Sequence, residues 1–212
     1  MLKSKAAVAA AICLSLVGCS REGELLPTGV VTTYTACPPV AIAAPTGDVT
    51  LFDPQHSRDA SAIDVVATMT NVRSTCNDQG EHIVTTATFD VHAQRRSGGP
   101  ARDVVLPYFA VVVQSGENVV SKRVGRVMLR FAEGQQRAST SGTATSRVLR
   151  SAATLPDEIR RRITRERRAG EADAAIDPMS EPEVRAAVQR ASFELLLGFE
   201  LTADQLQYNA TR

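Results

Sequence analysis

Two stretches near the middle of the chain alternate between apolar and polar residues. Between residues 62 and 70 the odd positions are apolar, and the even positions are mostly polar. Between residues 82 and 92 the odd positions again suit burial, whereas His82, Asp90 and His92 occupy even positions. A period of two with one polar face is typical of an antiparallel strand. The turn signal at 77–80 joins the two stretches and predicts a hairpin.

Further strand-length apolar segments surround this hairpin. They are residues 40–44, 49–52, 104–113, 119–131, 137–150 and 193–201. The segment 104–113 is apolar on both faces, which predicts a central strand covered on each side. Within it, Pro107 predicts a bulge or an end of pairing, because proline cannot donate to a strand ladder. About seven short strands at hairpin spacing predict a mainly β fold, an antiparallel immunoglobulin-like β-sandwich.

A different pattern separates the last two predicted strands. Thr154-x-x-Asp157 predicts the start of a helix over 156–169, and Ser180-x-x-Glu183 predicts a capping box for a second helix over 181–192. We therefore expect a helical insertion at 156–192, before the last strand. A further capping box, Thr202-x-x-Gln205, predicts a short terminal helix.

The first twenty residues have the pattern of a bacterial lipoprotein export signal. Lys3 and Lys5 precede an apolar run over 6–17, and the sequence Leu16-Val17-Gly18-Cys19 resembles a lipobox. The alternatives are a transmembrane anchor, for which a run of about 12 residues is short against the roughly 20 required, and a cleaved signal without lipid. We predict a signal peptide at 1–18, a lipid-bearing Cys19, a flexible tether at 19–36 and a folded domain at 37–209.

This arrangement predicts a domain tethered to a membrane and folded in the periplasm. Ser20 follows the lipid site where an aspartate would signal inner-membrane retention under the enterobacterial sorting rule. That rule favours the outer membrane over the inner membrane.

The cysteines suit an oxidising compartment. With Cys13 in the signal and Cys19 as the lipid site, Cys37 and Cys76 remain. An even remaining pair in an exported protein predicts one disulfide. The rival reading is a redox or metal pair, although the chain has no C-x-x-C motif and this separation does not match zinc spacing.

Composition and motifs argue against several functions. The chain has 24 basic and 23 acidic residues, and this balance does not favour a nucleic-acid partner. We find no nucleophile elbow, zincin motif or phosphate-binding glycine loop. A strand rise of about 3.3 Å per residue puts His82 and His92 about 33 Å apart, too far to share a metal. We expect no enzymatic activity, no cofactor and no metal.

One polar cluster stands out in the predicted insertion. It consists of Arg160, Arg161, Arg162, Arg165, Arg167 and Arg168. The cluster is a candidate surface for an acidic protein partner or for anionic lipid headgroups. The alternative is a solvated helix whose charge is offset by neighbouring carboxylates such as Asp157 and Glu158, and Ile159 and Ile163 offer too small an apolar stripe for membrane insertion.

Four short motifs support a resemblance. They are Cys37-Pro38-Pro39-Val40, Pro107-Tyr108-Phe109-Ala110, Gly198-Phe199-Glu200-Leu201-Thr202 and Gln205-Leu206-x-Tyr208-Asn209. Over most of residues 37–209 the chain resembles uncharacterised cell-envelope lipoproteins of alphaproteobacteria. That group has no assigned activity, so the resemblance implies a location and a fold, and it implies no catalytic residues.

These observations lead to two functional expectations. The first is a lipid-anchored, non-enzymatic binding or assembly module that contacts another envelope protein. The alternative is a periplasmic carrier of a small ligand or lipid, which would use a cavity within the sandwich.

Overall fold

The computed structural model describes residues 35–165 and 176–211. This part of the chain forms two four-stranded sheets and three α-helices. The strands are β1 (Val40–Ile42), β2 (Asp48–Phe52), β3 (Ile63–Asn77), β4 (His82–Arg95), β5 (Arg102–Gln114), β6 (Asn118–Phe131), β7 (Arg137–Leu149) and β8 (Phe193–Phe199). The helices are α1 (Asp157–Thr164), α2 (Pro182–Ala191) and α3 (Ala203–Thr211).

The predicted sandwich architecture is confirmed. The first sheet has the order β1-β8-β5-β6, and the second has the order β2-β3-β4-β7. The pairs are antiparallel except that β1 joins β8 in parallel. The expected helices lie before the last strand. The predicted signal peptide, Cys19 and nearly all of the predicted tether lie outside the described residues.

The inward-facing residues of both sheets form one core. In β4 every odd position from Ile83 to Arg95 is buried, as the alternation predicts for its apolar members. Phe89, Phe131 and Phe199 are each at most 1% exposed, so aromatic rings occupy much of the space between the sheets. A core of this size supplies the hydrophobic free energy that holds the two sheets together.

Two glycines on edge strands make room for core aromatics. A Cβ atom on Gly125 of β6 would collide with the ring of Tyr108, its cross-strand neighbour. A Cβ atom on Gly142 of β7 would collide in the same way with Phe89. The Tyr108 hydroxyl donates a 2.8 Å hydrogen bond to the carbonyl of Thr143 on β7, which ties the first sheet to the edge of the second.

Two differences from the sequence-based expectations concern the end of β3 and the cover of β5. β3 continues to Asn77 past an irregularity between Thr70 and Arg73, where Asn71 has a φ of 52°. The alternation ends at that point because β3 is exposed on both faces beyond it. The expectation that β5 is covered on each side is wrong at its start, since Val105 is 53% exposed. The end of pairing predicted at Pro107 is seen only towards β8, which pairs with β5 from Tyr108 onward, whereas pairing with β6 continues through Pro107 without a bulge.

The helical insertion has a small core of its own. Leu155, Ile159 and Ile163 pack against Val184 and Ala187 of α2. The insertion is attached to the turn between β5 and β6, where Ser115 Oγ donates to the Gln189 carbonyl at 2.9 Å and Gln114 Nε2 donates to the Arg190 carbonyl at 2.7 Å. The described part of the first predicted helix ends at Thr164 rather than 169.

Candidate functional site

Three members of the arginine cluster, Arg160, Arg161 and Arg162, lie on α1, and Arg165 follows its last residue. Ile159 and Ile163 are buried and fix which face of the helix meets α2. Arg160, Arg161 and Arg165 are exposed, and Arg162 is half-buried. Arg167 and Arg168 lie outside the described residues.

Carboxylates compensate the charge of two of these arginines. Arg160 pairs with Asp157 at 2.6 Å. Arg162 pairs with Glu158 at 2.8 Å and with Glu183 of α2 at 2.9 Å. Hydrogen bonds from the guanidinium to these two glutamates raise the pKa of Arg162. The described arginines thus belong in part to a network that joins α1 to α2, which limits how much of their charge a partner would meet.

The predicted disulfide is confirmed. Cys37 and Cys76 are bonded, with Cα atoms 6.0 Å apart and a sequence separation of 39. The bond fastens the segment before β1 to the end of β3. A bonded pair cannot serve as the redox or metal pair of free thiols considered as its alternative.

The polar residues of β4 form a hydrogen-bonded cluster around Asp90. Its carboxylate accepts from Asn71 Nδ2 at 2.6 Å and from Ser141 Oγ at 2.8 Å. These two hydrogen bonds lower the pKa of Asp90 below its ordinary value of 3.8, and the nearby His92 has a smaller effect in the same direction. Within residues 35–165 and 176–211, no group of three His, Cys, Asp or Glu side chains is arranged to hold a metal ion.

The outer face of the first sheet carries an apolar patch that the sequence analysis did not identify. Val105 of β5 lies directly opposite Met128 of β6, and Phe109 lies directly opposite Val124. Val105, Val124 and Met128 are 53%, 59% and 56% exposed. We call these four side chains, with Pro107 between the two pairs, the sheet-one patch. The apolar character of both faces of β5 is the signal in the sequence, and by itself it predicts burial on both sides.

Cations border the sheet-one patch. Lys122 forms an ion pair with Glu200 at 2.9 Å, and its ammonium lies 5.5 Å from the centre of the Phe109 ring. Arg130 approaches Asp103 at 3.9 Å with its side chain 77% exposed. Arg126 lies on the same face, opposite Pro107. The patch is therefore apolar along β5, is interrupted on β6 by Arg126 between Met128 and Val124, and is bordered by Lys122 and Arg130.

A groove lies on the outer face of the second sheet. Its volume is about 560 Å³, and residues of β3, β4 and β7 together with Ala60 line it. The groove opens away from the core, so it differs from the cavity between the sheets that the carrier hypothesis assumed.

The comparisons with known proteins found no match. No family model matches the chain, no curated protein matches it, and no solved structure matches its fold. In the stretches that the structure describes, none of the helices has the length and apolar character needed to cross a membrane.

Proposed function

We propose that this protein is a lipid-anchored, non-enzymatic binding or assembly module of the cell envelope. Acyl chains on Cys19 hold it in the membrane, with the outer membrane favoured, and the sandwich lies in the periplasm. Its partner is another envelope protein. The observation that carries the proposal is the sheet-one patch.

The continuity of the patch distinguishes it from ordinary surface apolarity. Single exposed valines and leucines are common on soluble proteins, whereas a contiguous apolar patch is typical of an interaction site. Val105 and Met128 are cross-strand neighbours, as are Phe109 and Val124, and side chains in such pairs contact each other. Complete burial of a valine or methionine contributes about 1.5–3 kcal/mol. Covering three such side chains that are already partly buried would contribute about 3–4 kcal/mol.

The charges around the patch define the partner further. Among the rim cations, Lys122 has a carboxylate partner at 2.9 Å, and Arg130 has one only at 3.9 Å. A partner surface that is apolar at its centre and acidic at its edge would complement this arrangement. An anionic membrane surface would meet the same charges, and the experiment below separates the two.

The experiment uses the lipidated protein in its own membranes. Partners are cross-linked in cells and recovered with the wild-type chain and with Val124→Glu/Met128→Glu. The matched control, Thr143→Glu/Thr145→Glu, puts the same charges on exposed positions of β7, the edge strand of the other sheet. A third variant, Arg161→Gln/Arg165→Gln, tests the arginine cluster.

Each outcome bears on the proposal. A partner lost with the patch variant and retained with the β7 control supports the sheet-one patch. If the partner is lost only with the arginine variant, the interface lies on α1, and the sheet-one patch is refuted as the binding site. If no partner is lost and the patch variant instead stops binding vesicles of anionic phospholipid, the surface contacts membrane.

The lipid anchor has an independent test. Cys19→Ala should move the protein from the membrane to the soluble periplasmic fraction, because it removes the proposed acylation site. Ser20→Ala is the control and should stay in the membrane. Unchanged fractionation of Cys19→Ala would refute the anchor without affecting the patch.

A second candidate function is that of a small-ligand carrier. The groove on the outer face of the second sheet favours it, because a volume of about 560 Å³ is within the usual range of ligand pockets, roughly 300–1,000 Å³. This groove takes the place of the inter-sheet cavity in the carrier hypothesis.

A further inference from the structure

The groove on the second sheet has an apolar floor. Ile63 and Val66 of β3 line it together with Ala60. Ile63 and Val66 are half-buried, so an occupant would remove their remaining surface from water. Apolar side chains at the base of a groove favour a hydrocarbon portion in the ligand.

One end of the groove is strongly positive. Arg96 follows the end of β4, and Arg137 lies opposite Gln94 at the start of β7. Both arginines are exposed, and no carboxylate contacts their guanidinium groups among the described residues. The ten residues that line the groove include a third arginine, Arg95, and no aspartate or glutamate.

Asp64, whose backbone carbonyl accepts from the Arg96 amide, has a carboxylate that is already engaged. Asp64 accepts two hydrogen bonds of 3.0 Å from Arg102 Nη2. The Arg95 guanidinium is buried and donates to backbone carbonyls, so its charge is not neutralised by a carboxylate. The electrostatic potential in this end of the groove therefore favours an anion.

We infer that the groove binds a small amphipathic anion, an acyl chain that ends in a carboxylate. The carboxylate would accept hydrogen bonds from Arg96 and Arg137, since the planar guanidinium matches a carboxylate in a two-point contact. The hydrocarbon chain would lie over Ile63 and Val66. This site is on the opposite sheet from the sheet-one patch and goes beyond the function proposed for that patch.

The arginines and the apolar floor of the groove each favour a different part of the ligand. An inorganic anion would use the arginines and leave the apolar floor exposed to water. A neutral hydrocarbon would cover the floor and leave both guanidinium groups without an acceptor. Only a ligand with both parts gains from both, so its affinity should exceed that of either part alone.

Isothermal titration with decanoate, below its micelle concentration, tests the inference. The Cys19→Ala chain is used because it contains the whole domain and requires no detergent, which would compete for the groove. We expect decanoate to bind. We expect acetate and decanol to bind at least about tenfold more weakly, because loss of the charged hydrogen bonds or of the apolar contact should each lower the affinity by about that factor.

Variants then locate the site. Arg96→Gln/Arg137→Gln should weaken decanoate binding about tenfold or more. The matched control, Arg123→Gln/Arg147→Gln, removes the same charge from exposed positions of β6 and β7 that do not line the groove and should leave the affinity unchanged. Equal affinity of the groove variant and the control, no decanoate binding, or acetate binding as tight as decanoate binding would each overturn the inference.

Discussion

Arg95 is a buried arginine, and its replacement should test how strongly the loop after β4 and the loop after β6 are held together. It is the last residue of β4 and is 5% exposed. Its guanidinium donates to carbonyls of both adjacent loops, namely Gln135 at 2.6 Å, Pro100 at 2.9 Å, Gly99 at 3.0 Å and Ala132 at 3.2 Å. It also lies 5.3 Å from the centre of the Phe131 ring. Arg95→Met would retain the apolar stem and remove every donor.

The expected loss follows from which carbonyls depend on Arg95. Gly99 O also accepts from the Gly134 amide, and Ala132 O also accepts from the Gln135 amide, so both retain a partner. The carbonyls of Pro100 and Gln135 would lose the donor described here. Two hydrogen bonds to a charged group contribute about 3–6 kcal/mol. Water can reach these exposed loops, and methionine has no charge to desolvate, so we expect a net destabilisation of about 2–4 kcal/mol.

Denaturant unfolding with a constant m-value measures this change. The midpoint of thermal unfolding should also fall by about 5–15 °C for a domain of this size. Hydrogen exchange should accelerate at the Gly134 and Gln135 amides, because the two loops separate. Arg123→Met, on an exposed position of β6, is the control and should stay within about 0.5 kcal/mol of wild type. A loss that small for Arg95→Met would refute the reasoning.

Three further predictions concern stability. Thr85 and Ser146 are opposed in the core, and their hydroxyls have no partner in the described part of the chain, so Thr85→Val should stabilise the domain by about 1 kcal/mol in denaturant unfolding; a destabilised variant would contradict this. Replacing Cys37 and Cys76 by serine should cost about 3–4 kcal/mol through the entropy of the unfolded chain, and reductant should then have no further effect on the variant. Because the folded-state pKa of Asp90 is lowered, its stabilising effect is complete above the unfolded-state value of 3.8 and is lost as the pH falls through the folded value. Asp90→Asn should therefore flatten the acid limb of the stability curve, and an unchanged limb would refute this.

Regular alternation made much of the sandwich predictable. In β4 the side chains that alternate in the sequence also alternate between the core and solvent, because neighbouring strand residues point to opposite faces. The last capping box was also predictable. The Thr202 amide donates to Gln205 Oε1 at 2.9 Å, and the Gln205 amide donates to Thr202 Oγ1 at 3.3 Å. These patterns succeed because the residues that interact are close in the sequence.

Prediction fails where another hydrogen-bond partner competes for the side chain that would cap the helix. Ser180 and Glu183 have capping-box spacing, yet the Ser180 hydroxyl donates to the Asp177 carbonyl at 2.7 Å, and Glu183 accepts from Arg162 at 2.9 Å. The helix begins at Pro182 without a side-chain cap. Thr154 likewise donates to the Arg150 carbonyl at 2.7 Å instead of capping α1. Only the packing of the insertion determines which of these partners is within reach.

The sheet-one patch shows a different kind of failure, and it is the more informative one. A strand that is apolar on both faces is expected to have other protein surfaces packed on both faces. For β5 the core between the sheets packs on one of them. Across residues 35–165 and 176–211, no element covers Val105 and Met128, which remain more than half exposed. Arg95 is the opposite case, because arginine side chains are usually exposed and here two converging loops bury one. In both cases the local sequence does not indicate which surfaces pack against each other. For the sheet-one patch, the proposed partner would provide the surface that packs against it.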